Sequence, residues 1–393
     1  MTRPEKNLRI AMMLESDGPG GAEVVLFRLS EELRRRGHTV IPVLPRDGCG
    51  WLGGLFRSVG CAPESFWLRH PIDPTAVGRL MGLFRQHEID VVHSHEFTMA
   101  VYGAAAAKLL RIPHVLTMHG SSTVTGALRR RIALRWAIRR SADSIAVSGA
   151  TRAQFATDLG IPESAFTVIP NGVPVIEGNP ERVRKEFRCA DGEIVILAVG
   201  NVDVRKNHRM LLEALVRLQR EGLAVPWRVI IAGGRGGDQH SYLLDYAKSH
   251  GLEDRVHIVK ERNDIADLQA LADIFVMPSL WEGLPLAMLE AMVAGKTILA
   301  SATGGIPEAI VDGRDGILFP PGDLDALVRG LRSVMTDPAR RRALGTAAYE
   351  RAKREFTVQV MTDRHLDVYN RVFEQRVARP LVEATPVVPV RSS

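Results

Sequence analysis

Residues 278–292, PSLWEGLPLAMLEAM, hold two carboxylates eight positions apart, Glu282 and Glu290, on either side of Gly-Leu-Pro. The stretch joins an apolar run, DIFVMPS, to a helical pattern. Pro285 suits the first helical position, because its missing N–H would have no intrahelical partner. Leu289, Met292 and Val293, with Met288, form the stripe expected to face a core, and Glu290 lies one position off Leu289 at the edge of that stripe. A carboxylate there is costly to desolvate without a partner, and the hydroxyls of a polyol are suitable partners. Glu282 falls in the turn, close to the exposed N–H groups of the first helical turn, a ready place for a phosphate. Plainer readings stand beside these. Glu282 can simply complement the helix dipole, for about 0.3–1 kcal/mol, and Glu290 can make a salt bridge on the helix flank.

Other residues offer related chemistry. In AVGNVDVRKNH a strand ends at Gly200 and a helix is expected to open with Arg205 and Lys206. Cations are unfavourable at a helix start unless an anion such as a diphosphate sits there, although a pair of solvated side chains is the simpler account. SDGPGGAEVV sets Gly18, Gly20 and Gly21 between a strand and a helix, where a phosphate loop belongs. The G-x-G-x-x-G of dinucleotide binding is absent, since Glu23 holds the sixth position, and GGRGGD at 233–238 fails the same test. Gly304 and Gly305 follow the strand KTILAS and precede a short helix capped by Pro307; paired glycines let backbone approach a ligand or serve an ordinary turn. His119 follows the strand VLTM, where it can hydrogen-bond a polar ligand or change charge near neutrality. His93 and His95 alternate onto one strand face as a candidate metal pair, but no third ligand is evident and no metal site is assigned. In the Asp-x-Asp at 323–325, Asp323 is read as a helix N-cap rather than a metal ligand.

These residues need a frame. A chain of 393 residues, 46% apolar and 24% charged, has the size of two domains and the composition of a soluble globular protein. No run reaches the ~20 apolar residues of a membrane span, and the N-terminus does not read as a signal peptide. Three cysteines, Cys49, Cys61 and Cys189, argue against a disulfide framework and for a reduced, cytoplasmic setting. The net charge of +6 lies wholly in the first half: 21 Lys and Arg face 15 Asp and Glu through Pro170, and 30 face 30 beyond it. ALRRRIALRWAIRR is the densest part, with arginines around most of a helical wheel. It is read either as a solvated helix or as a surface for an anionic membrane or acceptor; nucleic acid is disfavoured, because no aromatic stacking set accompanies the charge.

Short apolar runs alternate with helical patterns along nearly the whole chain. LRIAMML, HTVIPVL, IDVVHSH, PHVLTMH, SIAVS and FTVIP are expected as strands of the first half, and EIVILAVG, WRVIIAG, RVHIV, DIFVMPS, KTILAS and GILF of the second. Helices are expected between them, such as 21–36, stopped by Gly37, and 97–110. The pattern predicts an α/β protein of two Rossmann-like, doubly wound domains facing a central cleft, with chemistry at the carboxyl ends of the strands. The expected divisions are a first domain at 1–170, a second domain at 171–355, a helix over 356–377, and a disordered tail at 378–393. IPNGVP at 169–174 reads as the junction.

Taken together, the residues resemble retaining glycosyltransferases of family 4, which have the GT-B architecture, over about Leu8 to Gln375. The resemblance is carried by Glu282 and Glu290 as an E-x7-E pair, by the following GGIPE, and by GGAE at 20–23, HG at 119–120, PNGV at 171–174 and RKN at 205–207. It implies a nucleotide-sugar donor in the second domain, an acceptor in the first domain at 1–170, and a final helix at 356–377 crossing back to that first domain. Glu290 would hold the ribose hydroxyls and Glu282 would contact the transferred sugar. Arg205 and Lys206 would neutralise the departing diphosphate, with help from backbone N–H groups at Gly283, Leu284 and the Gly20–Gly21 loop. His119 would lie near the sugar, and the loop at 260–264, with Arg262, near the base. It further implies retention of configuration with no protein nucleophile, cofactor or metal. One departure stands out: Asn201 occupies a position where many members have arginine. A nucleotide-sugar epimerase or hydrolase, or a catalytically silent nucleotide-sugar-binding subunit, are the competing readings.

Overall fold

The computed structural model describes residues 7–45, 50–70, 72–120, 126–234 and 238–378. Cys49 and the tail beyond 378 lie outside them. Among these residues thirteen parallel strands form two sheets, twelve of them from the apolar runs. The first sheet holds β1 (Arg9–Met13), β2 (Thr39–Pro45), β3 (Glu64–Phe66), β4 (Val91–His95), β5 (His114–Met118), β6 (Asp143–Ala146) and β7 (Thr167–Val168), in the order β3-β2-β1-β4-β5-β6-β7. The second holds β8 (Ile194–Val199), β9 (Trp227–Ala232), β10 (Val256–Val259), β11 (Ile274–Met277), β12 (Thr297–Ser301) and β13 (Ile317–Phe319), in the order β10-β9-β8-β11-β12-β13. Both sheets are doubly wound, and each reverses strand order beside its first strand, at β1/β4 and at β8/β11. Crevices form at such switch points, beyond the carboxyl ends of the strands. The edge strand β3 was not foreseen.

The junction is built by two segments lying side by side. Val173 donates to the Phe356 carbonyl at 2.8 Å, and the Val358 N–H returns to the Val173 carbonyl at 3.1 Å. The final helix, Val358–Ala378, then packs on the first sheet, where Val358, Met361, Leu366, Tyr369 and Val372 join a core with Leu8, Ile10 and Leu26. The Tyr369 hydroxyl reaches His93 Nδ1 at 2.6 Å, tying this helix to β4.

Three local expectations shift. The helix of the opening stretch is Leu286–Val293; Pro285 caps it in an extended conformation (φ −75°, ψ 123°) instead of opening it. Its buried residues include the expected Met288, Leu289, Met292 and Val293. Arg205 and Lys206 do not open a helix: the helix is His208–Arg220, and Asn207, at φ 50°, turns the chain into it. Both cations therefore stand before the helix, not in its first turn, and are placed by their side-chain contacts. In the short helix Ile306–Ala309 the capping position is Gly305, with Pro307 inside the first turn. Asp323 is a helix N-cap as expected, accepting from the Ala326 N–H at 2.9 Å.

Candidate active site in the interdomain cleft

The carboxyl ends of both sheets border one cleft of about 680 Å³. Gly20, Gly21, Arg28 and His119 line it from the first domain, and Lys206, Glu282 and Glu290 from the second. Gly283, Leu284, Arg205 and Arg262 also border it. The sequence-predicted residues are thus gathered in one place, but their side chains are engaged in ways that the sequence does not display.

Lys206 and Glu282 form a pair, Nζ to Oε1 at 2.5 Å, with the side chains only 16% and 11% exposed. Ser279 Oγ donates to the same Oε1 at 2.7 Å. A cation and a carboxylate fixed this way, at the ends of β8 and β11, provide a positive charge and a hydrogen-bond acceptor side by side. Arg205 differs from its neighbour: it is 57% exposed and bonded to Asp203 at 3.2 Å. All three nitrogens of Arg262 donate to carboxylates, of Glu186 at 2.5 and 2.9 Å and of Asp264 at 2.7 Å. That guanidinium is committed to the protein, and its part at the cleft wall is to hold the loop. Asn201, where an arginine is common, also borders the cleft.

His119 does not behave as a group poised near neutrality. Burial drives its pKa down to about 3, so it is neutral at physiological pH. Its Nε2 lies 2.8 Å from His95 Nδ1, with one ring donating and the other accepting. His93 bonds Tyr369 and, through Nε2, Thr117 Oγ1 at 2.7 Å. His93 and His95 are therefore held neutral in a hydrogen-bonded network under the cleft. Among the described residues no three His, Cys, Asp or Glu side chains are grouped to hold a metal ion.

The paired glycines pack closely against protein. A Cβ on Gly304, which sits at φ +54°, would lie 1.6 Å from the Glu282 carbonyl oxygen. The Gly305 N–H donates to the Gly283 carbonyl at 2.7 Å, and a Cβ on Gly283 would meet the His119 carbonyl at 2.7 Å. The turn carrying Glu282 is thus clasped between the GGIPE loop and the first domain.

Several cross-cleft residues carry no sequence signal of their role. Glu308 accepts from the Gly149 and Ala150 N–H groups, both at 2.7 Å, and so caps the first-domain helix Gly149–Leu159 from the second domain. Asn171 Nδ2 donates to the Leu284 carbonyl at 2.8 Å. Arg28 Nη2 donates to Glu290 Oε1 at 2.6 Å. Glu290 is therefore in a salt bridge, but with the opposite domain rather than on its own helix flank. Glu96, next to His95, is held at φ 63°, and burial raises its pKa to about 7 with help from Glu15 and Glu23. Only its place after a strand hinted at it.

Two doubly wound parallel sheets facing one another across such a cleft define the GT-B class of architecture. Residues 19–176 match the family model described as Glycosyltransferase Family 4, and residues 179–351 match Glycosyl transferases group 1. Glycogen synthase of Mycobacterium tuberculosis is 31% identical over 300 residues, spanning 74% of this chain and 70% of its own. The GDP-mannose-dependent alpha-(1-6)-phosphatidylinositol monomannoside mannosyltransferase of Mycolicibacterium smegmatis is 30% identical, over 71% of this chain and 77% of its own. Among solved structures, Anabaena HepE in complex with UDP superposes with a TM-score of 0.81 at 23% identity, covering 93% of this chain and all of that one. The chain belongs to glycosyltransferase family 4, and it is a glycosyltransferase of the GT-B type.

Proposed function

We propose that the protein transfers a sugar from a nucleoside-diphosphate-sugar to an acceptor, with retention of anomeric configuration, in the synthesis of a polysaccharide, glycolipid or other glycoconjugate. The observation that carries this reading is the Lys206–Glu282 pair lying in one cleft with Glu290 and the start of the helix Leu286–Val293. The mannosyltransferase relative, whose name specifies GDP-mannose, supports a nucleotide-sugar donor. Breaking the anomeric carbon–oxygen bond builds charge on the departing diphosphate. Lys206 and N–H groups at the two helix starts, Gly21 and Leu286, can stabilise that charge without a metal. Glu282 would accept from a hydroxyl of the transferred sugar and Glu290 from the ribose. Neutral His119 would offer a ring nitrogen to the sugar. No protein nucleophile is assigned.

The test is a thermal-shift panel of UDP-, GDP- and ADP-sugars, followed by product analysis with acceptors. An α-linked product from an α-linked donor supports the reading. Inversion overturns retention. Rapid donor hydrolysis or epimerisation with no acceptor present overturns transfer, and binding without turnover on any acceptor identifies a silent binding subunit.

We place the protein in the cytoplasm, in contact with an anionic membrane surface through the basic helix Leu128–Arg140. Leu134, Ala137 and Ile138 bury one side of it, while Leu128 and Ile132, one turn apart, stay 70% and 60% exposed. Arg129, Arg130, Arg131, Arg139 and Arg140 are exposed around them, and the helix has no acidic residue. Apolar side chains set among arginines suit a lipid headgroup region. The double variant Leu128→Glu, Ile132→Glu should lose co-sedimentation with phosphatidylglycerol vesicles. Unchanged sedimentation, or none by the unaltered protein at low salt, overturns this placement. Among the described residues no helix is long and apolar enough to cross a membrane.

A further inference from the structure

Arg28 enters the cleft from the helix Gly21–Arg35. It lies seven positions past Gly21, about 10 Å along the axis. Gly21, Val24 and Arg28 all line the cleft, at helical spacing, so one face of this helix forms a wall. Opposite stands the helix Leu286–Val293, whose Glu290 lies four residues past its start. The two side chains meet through Arg28 Nη2 and Glu290 Oε1 at 2.6 Å, each about one-fifth exposed. The second terminal nitrogen of Arg28, Nη1, is buried and has no hydrogen-bond partner among the described residues. A guanidinium nitrogen left this way in a ligand cleft is a donor in want of an acceptor, and native proteins seldom leave such groups unsatisfied.

We propose that Arg28 binds the donor's ribose together with Glu290, which makes ribose recognition a joint property of the two domains. The inference rests on the reading of Glu290 as the ribose carboxylate. A ribose hydroxyl both donates and accepts. Its hydrogen goes to Glu290, and a lone pair of the same diol accepts from Arg28 Nη1, while the Nη2 contact fixes the rotamer of Glu290. Diphosphate at the two helix starts and ribose between Arg28 and Glu290 follow one another in the order in which they are linked in a nucleoside diphosphate. Arginine suits this position because its fork reaches two acceptors at once, which the point charge of lysine cannot.

The experiment measures, by titration calorimetry, how much more tightly the protein binds UDP, GDP or ADP than the matching 2′,3′-dideoxynucleoside diphosphate. The unaltered protein should prefer the ribose form by roughly 10- to 100-fold, the size expected of hydrogen bonds to charged groups. Glu290→Ala should bring the ratio close to one. Arg28→Met, which keeps the aliphatic stem, should lower the ratio by about 10-fold, and Arg28→Lys should give an intermediate value. A loss of fold or stability alone would weaken both ligands and leave the ratio in place. If Arg28→Met and Arg28→Lys keep the full ratio while Glu290→Ala abolishes it, or if Arg28→Met tightens the ribose form, the inference falls and the role of Glu290 stands. If Glu290→Ala keeps the ratio, or the unaltered protein shows none, the ribose reading of Glu290 falls with it. Binding of none of the three nucleotides overturns the nucleotide-sugar reading itself.

Discussion

Lys206 and Arg205 are neighbours in sequence and were expected to share the diphosphate, but the structure separates them sharply. Lys206 is 16% exposed and bonded to Glu282, whereas Arg205 is 57% exposed and paired with Asp203. Replacing Lys206 with Met keeps the side chain's bulk and removes its charge. If Lys206 stabilises the leaving group, its loss should resemble removal of a preorganised oxyanion donor, about 10²–10³ in kcat, or roughly 3–4 kcal/mol. A second cost arises because the Glu282 carboxylate loses its cation. Fully buried pairs lose about 3–5 kcal/mol on such a change, but both partners here retain some exposure and Ser279 still donates, so about 1–2 kcal/mol of folding stability is expected. Arg205→Met should cost less than about 10-fold in turnover and leave stability within ~0.5 kcal/mol, as exposed pairs do.

The assay is release of nucleoside diphosphate from the best donor of the thermal-shift panel, under donor saturation, beside a urea titration of each variant. The charge on the diphosphate grows toward the transition state, so the loss for Lys206→Met should appear mainly in kcat, with a smaller change in donor KM. Turnover by Lys206→Met within threefold of the unaltered protein, or a larger loss in Arg205→Met, would remove Lys206 from the leaving group.

Three further outcomes follow from the packing. Gly304→Ala must hold a Cβ where the Glu282 carbonyl oxygen sits, at positive φ, and should cost roughly 2–4 kcal/mol in a urea titration; an unchanged midpoint contradicts the clasped turn. Glu308→Ala removes the cap on Gly149–Leu159, for about 1 kcal/mol, and should raise the radius of gyration in X-ray scattering by loosening the cleft, whereas an unaltered profile would show that the cap does not hold the domains together. Stability should fall in acid. Burial holds His114 and His119 to about 3, and His208 and His365 to about 4, below their ordinary 6.5. Their contribution is complete above pH 6.5 and is lost as pH falls through those lower values. Glu96 acts oppositely, contributing fully below 4.5 and losing its share as pH rises through about 7. The histidines outnumber it, so the melting temperature should decline from pH 7 to pH 4; a rise over that range contradicts the assignment.

The sequence displayed the strands because buried parallel strands are near-continuous apolar runs, and twelve of the thirteen were legible that way. The exception, Glu64–Phe66, has three residues on a sheet edge, two of them polar, and leaves no such trace. The helix starts at Pro285 and at Arg205 were misplaced by one and three residues. Proline is compatible with the cap as well as the first turn, and nothing in RKNH signals that Asn207 would take a left-handed turn. Lys206 and Glu282 could be placed at one sheet end by topology alone, but their bond could not. Arg28 and Glu290 meet across 262 positions of chain, through the relative placement of two domains that no local pattern encodes.

The GGIPE run shows why residues of one motif need not share one task. Gly304 and Gly305 clasp the turn that carries Glu282, and Ile306 is buried beneath it. Glu308 reaches past that turn to the first domain. None of the four is needed to touch a donor for the site to depend on them. If Glu282 contacts the transferred sugar as proposed, its carboxylate serves only where Lys206, the helix start and the first-domain wall converge, and misplacement by about 1 Å is enough to cost on the order of 10²-fold in rate. In this cleft the ligand-facing groups are few, and most of the surrounding motif acts by fixing how the two domains meet around them.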